Sequence, residues 1–200
     1  PDRRKSLLAH LADQGQRFYE LPAGGSRAVG ALGYTRCLAE LTVQCETQNI
    51  GMDLIVHASA SAGTQAGLVF GKSLLGTPGQ IFGINVFHPD PQTLKDRVLN
   101  LAQTMSERWP DAALQEDFQI NVNHAYLGDG YGLHTQACVR AIRMAAQPEG
   151  LLLAPVYPAQ SLAAPLGPIT PGKLTPQNAV GRSRAGGRGR KCSKNRLHVR

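Results

Sequence analysis

The run Asp53-Leu54-Ile55-Val56-His57-Ala58-Ser59-Ala60-Ser61-Ala62-Gly63-Thr64-Gln65-Ala66-Gly67-Leu68 passes from strand to helix through a bridge of small residues. Leu54-Ile55-Val56 is a short continuous apolar stretch, as a parallel strand covered on both faces requires. Thr64 to Leu75 reads as a helix. A buried strand feeding a helix directly is the opening of a βαβ unit.

The same alternation continues on both sides. Downstream, Gln80 to Phe87 reads as a strand, and Leu94, Val98, Leu101 and Met105 mark a helix opening near Pro91. Phe118 to Val122 reads as a strand and Leu133 to Ala146 as a helix. Upstream, Ala31, Tyr34, Leu38, Leu41 and Cys45 follow helical spacing, and Arg4 to Gln14 reads as an opening helix. Arg17-Phe18-Tyr19-Glu20-Leu21-Pro22 reads as a strand stopped by a Pro-Ala-Gly-Gly-Ser turn. The expected fold is α/β, a parallel sheet with helices on both faces.

The pattern stops after Tyr157. All 14 acidic residues precede Pro158, while 9 of the 21 Lys and Arg follow it. The net charge of +7 therefore divides into a body of −2 (12 basic against 14 acidic) and a tail of +9. Residues 158–200 hold five prolines, six glycines and no aromatic. The expected organisation is an α/β domain over residues 1–157 and a disordered basic tail over 158–200. No apolar run is long enough to cross a bilayer. Cys37, Cys45, Cys138 and Cys192 form no CxxC pair, so neither a zinc knuckle nor a redox motif is indicated, and reduced cysteines of a cytoplasmic protein are the expectation.

Ser59-Ala60-Ser61-Ala62-Gly63-Thr64 is the strongest local candidate for a site. Small residues let the backbone curl so that several N–H groups face one anion, and the helix N-terminus adds partial positive charge. The other reading is a small polar turn chosen for packing. Gly67-Leu68-Val69-Phe70-Gly71-Lys72-Ser73 imitates a Walker loop, but its spacing is one residue short and it lies inside the predicted helix. No GxGxxG is present, which argues against dinucleotide binding. Tyr131, between Gly130 and Gly132, and Tyr157, closing Pro155-Val156-Tyr157, are candidates for a crevice at the strand ends. A surface turn and a core aromatic are their respective alternatives. His57, His88, His124 and His134 stand singly and read as structural or exposed.

Four segments together resemble one family. Leu21-Pro22-Ala23-Gly24-Gly25-Ser26 with Gly30-Ala31-Leu32-Gly33-Tyr34, the run Ala58 to Leu68, Gly130-Tyr131-Gly132-Leu133, and Glu149-Gly150-Leu151-Leu152-Leu153-Ala154-Pro155-Val156-Tyr157 are similar, in order, to segments of the D-cysteine desulfhydrase and aminocyclopropane-carboxylate (ACC) deaminase family. The resemblance implies the tryptophan-synthase-β-like fold (fold type II) and pyridoxal 5'-phosphate as cofactor. It implies that Ser59, Ala60, Ser61, Ala62, Gly63 and Thr64 bind the cofactor phosphate, and that Tyr131 and Tyr157 are catalytic and help move protons. The implied substrate is a small amino acid, converted to ammonia and a 2-oxo acid, with sulfide released from cysteine. A homo-oligomer is the implied assembly of the intact family. Gly25 and Gly130 lean toward the desulfhydrase, while Pro158 leaves the deaminase open.

Departures from the family accompany the likeness. Its cofactor-linking lysine and the Ser-Asn loop for the substrate carboxylate would lie upstream of Pro1, so the chain as given is expected not to turn over substrate. Its Asp is Ala154 here, and its late Thr-Gly-Gly-type segment is missing. Two other classes stay in view. One is a nucleic-acid-binding protein, which could meet its ligand only through residues 182–200. The other is a non-catalytic cofactor-binding subunit.

Overall fold

In the computed structural model, residues 2–112, 114 and 118–166 and the backbone of 182–183 are described. The apolar run at Leu54 becomes β2 (Leu54–Ser59), which pairs with β3 (Gln80–Asn85), and β3 pairs with β4 (Asn121–Asn123). Both pairings are parallel, with Leu54 opposite Gln80, Ser59 opposite Asn85, and Phe82 opposite Asn121. α3 (Gly63–Leu75) joins β2 to β3, and α4 (Pro91–Arg108) lies between β3 and β4. Among the described residues no strand pairs with the outer edge of β2.

Side chains alternate across a strand, so the sheet has two different faces. Ile55 and Ile81 pack with Leu68 and Val69 of α3 and with Leu38 of α2 (Ala28–Thr47). Val56, Ala58 and Ile84 on the opposite face pack with Ala164 of α6 (Pro158–Leu166), which itself lies against α5 (Gln136–Glu149). Helices thus cover both faces, as the sequence pattern predicts.

α2 and α3 cross closely. Thr35 Oγ1 of α2 donates to the Gly67 carbonyl of α3 at 2.9 Å. A Cβ on Gly67 would meet the Ala31 carbonyl oxygen at 2.1 Å and Tyr34 Cβ at 2.8 Å, so only glycine permits this approach. α4 completes the larger core cluster, where Leu94, Val98, Ala102 and Met105 pack with Ala28, Ala31, Ala66 and Phe70. Its N-terminus is capped by Asp90, which accepts from the amides of Gln92 at 3.1 Å and Thr93 at 2.9 Å. The Thr93 hydroxyl, followed by these amides, holds the Asp90 carboxyl below the usual carboxylate range.

Two expectations need correction. Residues 17–22 form no strand; α1 (Asp2–Asp13) is followed by irregular chain and then a single tight turn over Ala23–Gly25. Phe18, Tyr19 and Leu21 are exposed, and this stretch is held by Arg27 over the Tyr19 ring and by the Arg4–Glu20 ion pair rather than by a ladder. The boundary at Tyr157 also moves, since 158–166 is a helix. Pro158 takes its first position, where a missing N–H costs nothing, and Ala159, Gln160, Ala163 and Ala164 are buried. The Gln160 amide donates to the Tyr126 carbonyl at 3.2 Å. Arg182–Ser183 (β5) pairs antiparallel with β1 (Ile50–Gly51). The rest of the expected tail lies outside the described residues.

His57 on β2 is half-buried, with its Nε2 shielded from solvent. Its Nδ1–H donates to the Ala58 carbonyl at 2.9 Å, and Nε2 has no partner. Burial pushes its pKa below the ordinary 6.5, against the weaker opposing effect of the Ala58 carbonyl. A depressed histidine contributes stability that is present above 6.5 and lost as pH falls through the folded value. His57→Leu is therefore expected to flatten the pH dependence of the unfolding free energy, read from urea titrations, below 6.5, by a slope of up to about 1.4 kcal/mol per pH unit. An unchanged slope would show that His57 protonates freely in the folded protein.

Candidate functional site

The corner between β2 and α3 is built by a residue of unusual conformation. Ala62, the N-cap of α3, has φ 74° and ψ −23°, the left-handed region, and contributes no side-chain cap. A non-glycine residue there costs about 1–2 kcal/mol. A left-handed residue next to right-handed ones turns successive N–H groups toward one concave point, and the head of α3 adds its dipole. Asn49 is the other described non-glycine residue with positive φ, and it lies in the turn leading to β1.

The Pro-Ala-Gly-Gly-Ser turn seats directly on this corner. Gly24, at φ 67°, leaves a space that a Cβ would fill, 2.2 Å from Ser61 Oγ and 3.2 Å from Ser26 Oγ. A Cβ on Gly63 would lie 2.9 Å from Ser26 Oγ. The Ser26 hydroxyl is buried and has no hydrogen-bond partner. An orphaned buried hydroxyl beside a left-handed turn and a helix N-terminus has the chemistry of an anion seat, so these residues fit a phosphate-bearing cofactor.

Beneath the corner, Gln65 is fully buried and ties three elements together. Its Oε1 accepts from Ser59 Oγ at 2.9 Å, and its Nε2 donates to the Asn121 carbonyl at 2.8 Å. A Cβ on Gly83 would strike this amide at 2.1 Å. The Ser59 hydroxyl proton is thereby committed to Gln65, and Ser59 is 2% exposed. In this arrangement the Ser59 hydroxyl points to Gln65 rather than into the corner. Above the corner, the Ala60 carbonyl lies 2.7 Å from His88 Nε2.

Tyr131 and Tyr157 meet. Their hydroxyl oxygens are 3.3 Å apart and their ring centroids 6.2 Å apart. Tyr131 also stacks edge-on against Phe87, with centroids 5.0 Å apart. Phe87 follows the C-terminal end of β3, and the 59–64 corner follows that of the parallel β2. The phenols are thus at the same sheet edge as the corner, both partly open at 50% and 40% exposure. The hydrogen bond with Tyr131, then burial, then the charge Tyr131 would carry, raise the Tyr157 pKa above its ordinary value of 10.0.

Other residues fall away from this edge. Gly67 to Ser73 is helical, as expected for a false Walker loop, and Lys72 donates to the Gly79 carbonyl at the N-terminal end of β3. His88, expected to be structural or exposed, is buried, with its ring on the Ala60 carbonyl. Its only sequence signal is adjacency to a strand end, which is weak. Among the described residues no group of three or more His, Cys, Asp or Glu could hold a metal. No described helix is long and apolar enough to cross a membrane.

Known proteins resemble this chain in sequence and in fold. A D-cysteine desulfhydrase of Salmonella paratyphi C (strain RKS4594) is 35% identical over 164 residues, covering 82% of this chain and 48% of that protein. A D-cysteine desulfhydrase of Serratia proteamaculans (strain 568) is 34% identical over 157 residues, covering 78% and 46%. A solved structure described as an ACC deaminase homologue matches with a TM-score of 0.71 at 28% identity, covering 80% of this chain and 47% of that one. The chain spans about half the length of the curated relatives it matches. The family model described as pyridoxal-phosphate dependent enzyme matches residues 1–178, and the chain belongs to that family.

Proposed function

We propose that this chain supplies the phosphate seat and the tyrosine pair of a lyase acting on a small amino acid. D-cysteine desulfhydrase is the first reading, and ACC deaminase is the second. The observation that carries the reading is left-handed Ala62 at the head of α3, whose neighbours Ser61 and Gly63 lie against Gly24 and the unpartnered Ser26 hydroxyl. Pyridoxal 5'-phosphate, when bound, supplies an electron sink for bonds broken at the substrate α-carbon. The amides and hydroxyls of residues 61–64, with Ser26, would hold its phosphate. Ala60 would contribute backbone shape, and Ser59 would support the corner through Gln65.

Tyr131 and Tyr157 are joined by one hydrogen bond in which either hydroxyl can donate while the other accepts. The raised pKa keeps Tyr157 protonated at neutral pH, the state in which a phenol donates a proton. The names of the relatives favour the desulfhydrase, as do Gly25 and Gly130. A homo-oligomer and a cytoplasmic setting belong to the same reading. Free Cys37, Cys45 and Cys138 agree with a reducing compartment.

The test is a titration of the purified chain with pyridoxal phosphate, followed by borohydride reduction and mapping of labelled lysines. Binding should be displaced by inorganic phosphate, because the seat recognises the anion. None of Lys5, Lys72 and Lys95 should be labelled, since Lys5 lies on α1, Lys95 on α4, and Lys72 is held at the opposite sheet edge. Binding indifferent to phosphate, or one full equivalent of label on Lys72, would sink the reading.

A further inference from the structure

We infer that His88 is a positioning residue that sets the orientation of the anion-binding corner and joins it to the tyrosine pair. The inference rests on residues 60–64 being the phosphate seat. His88 is buried at 6% exposure, and its Nε2 lies 2.7 Å from the Ala60 carbonyl oxygen. A carbonyl only accepts, so Nε2 carries the proton. In a trans peptide the carbonyl of one residue and the N–H of the next point in opposite directions. Drawing the Ala60 carbonyl toward His88 therefore turns the Ser61 N–H away from it and fixes the first amide of the corner.

The imidazole is itself held in place. Asn85, fully buried at the end of β3, accepts from the amides of Phe87 at 3.1 Å and His88 at 2.9 Å. Its Nδ2 donates to the His88 carbonyl at 2.8 Å and also faces His124 Nδ1 at 2.8 Å. The Val86 amide donates to the Ser59 carbonyl at 3.2 Å, tying the ends of β2 and β3 together. These anchors use the backbone around His88, so a change of its side chain leaves them intact. Phe87 then stacks on the His88 ring at 5.1 Å and on Tyr131 at 5.0 Å. A continuous line of contacts thus runs from the Ala60 carbonyl to Tyr157.

His88→Phe and His88→Gln separate the donor from the packing. Phenylalanine keeps an aromatic ring but has no N–H, while glutamine places an N–H near the position of Nε2. Two quantities are read on the full chain: amide hydrogen exchange over Ser61–Thr64 without ligand, and the affinities for pyridoxal phosphate and for pyridoxal. His88→Phe should speed exchange at the corner and weaken pyridoxal phosphate about tenfold, with pyridoxal unchanged and His88→Gln close to the parent, the effect of one lost hydrogen bond. Corner exchange and discrimination both unchanged in His88→Phe would overturn the inference, as would a glutamine variant no better than the phenylalanine one. If the parent binds pyridoxal as tightly as its phosphate while exchange responds as expected, the phosphate reading fails and the hold of His88 on the corner stands.

Discussion

Gly67→Ala is expected to destabilise the protein by about 3 kcal/mol, the upper end for an overpacked interface. The new methyl would sit 2.1 Å from the Ala31 carbonyl oxygen, which is backbone and cannot rotate away. α2 and α3 would have to separate, stretching the Thr35 bond to the Gly67 carbonyl and loosening Ala66 and Phe70 in the larger cluster. With typical domains stable by about 5–15 kcal/mol, such a loss is a large share of the whole. Gly33→Ala in α2 is the control, because a Cβ there meets nothing within 4 Å. It should stabilise by about 0.5–1 kcal/mol through helix propensity alone. Urea midpoints of the two variants should move in opposite directions; equal or like-signed shifts would mean that the helix crossing tolerates the methyl.

The second large effect is on ligand affinity. Gly24→Ala places a Cβ 2.2 Å from Ser61 Oγ and 2.8 Å from Ser61 Cβ. The corner must move, and two hydrogen bonds to a phosphate at about 1.5 kcal/mol each correspond to roughly a hundredfold weaker binding. Left-handed strain accompanies the change, so a matched variant is needed. Gly25→Ala supplies it, with φ 60° and nothing within 4 Å of its Cβ. Isothermal titration with pyridoxal phosphate should show a large loss for Gly24→Ala and a small one for Gly25→Ala. Comparable losses in both would assign the effect to backbone strain and remove Gly24 from the seat.

The strand-to-helix corner was legible because it depends on neighbours in sequence: an apolar run, then small residues, then a helix. The tyrosine pair rested on resemblance, since nothing in the spacing of Tyr131 and Tyr157 announces a 3.3 Å contact. Misreadings arose where tertiary partners overrode local composition. The aromatic run at 17–22, closed by a turn, reads as a strand, yet a strand exists only beside another, and none lies there among the described residues. Pro158 and its flanks looked unstructured, but the alanines of α6 make a flat face that suits the sheet. His88 and Gln65 carry no periodic signal, because their partners lie 28 and 56 positions away.

Among the described residues the outer edge of β2 has no strand partner, which bears on how this chain behaves in company. Leu54-Ile55-Val56-His57-Ala58-Ser59 carries no Lys, Glu or Pro, the residues by which natural edges discourage foreign strands. Its one ionisable group, His57, is kept neutral by burial and offers no repulsion near neutral pH. Such an edge is a template: any extended segment of matching polarity, from this protein or another, can add to it through backbone hydrogen bonds alone. A lysine introduced at that edge would act as a gatekeeper against such additions without touching the anion corner.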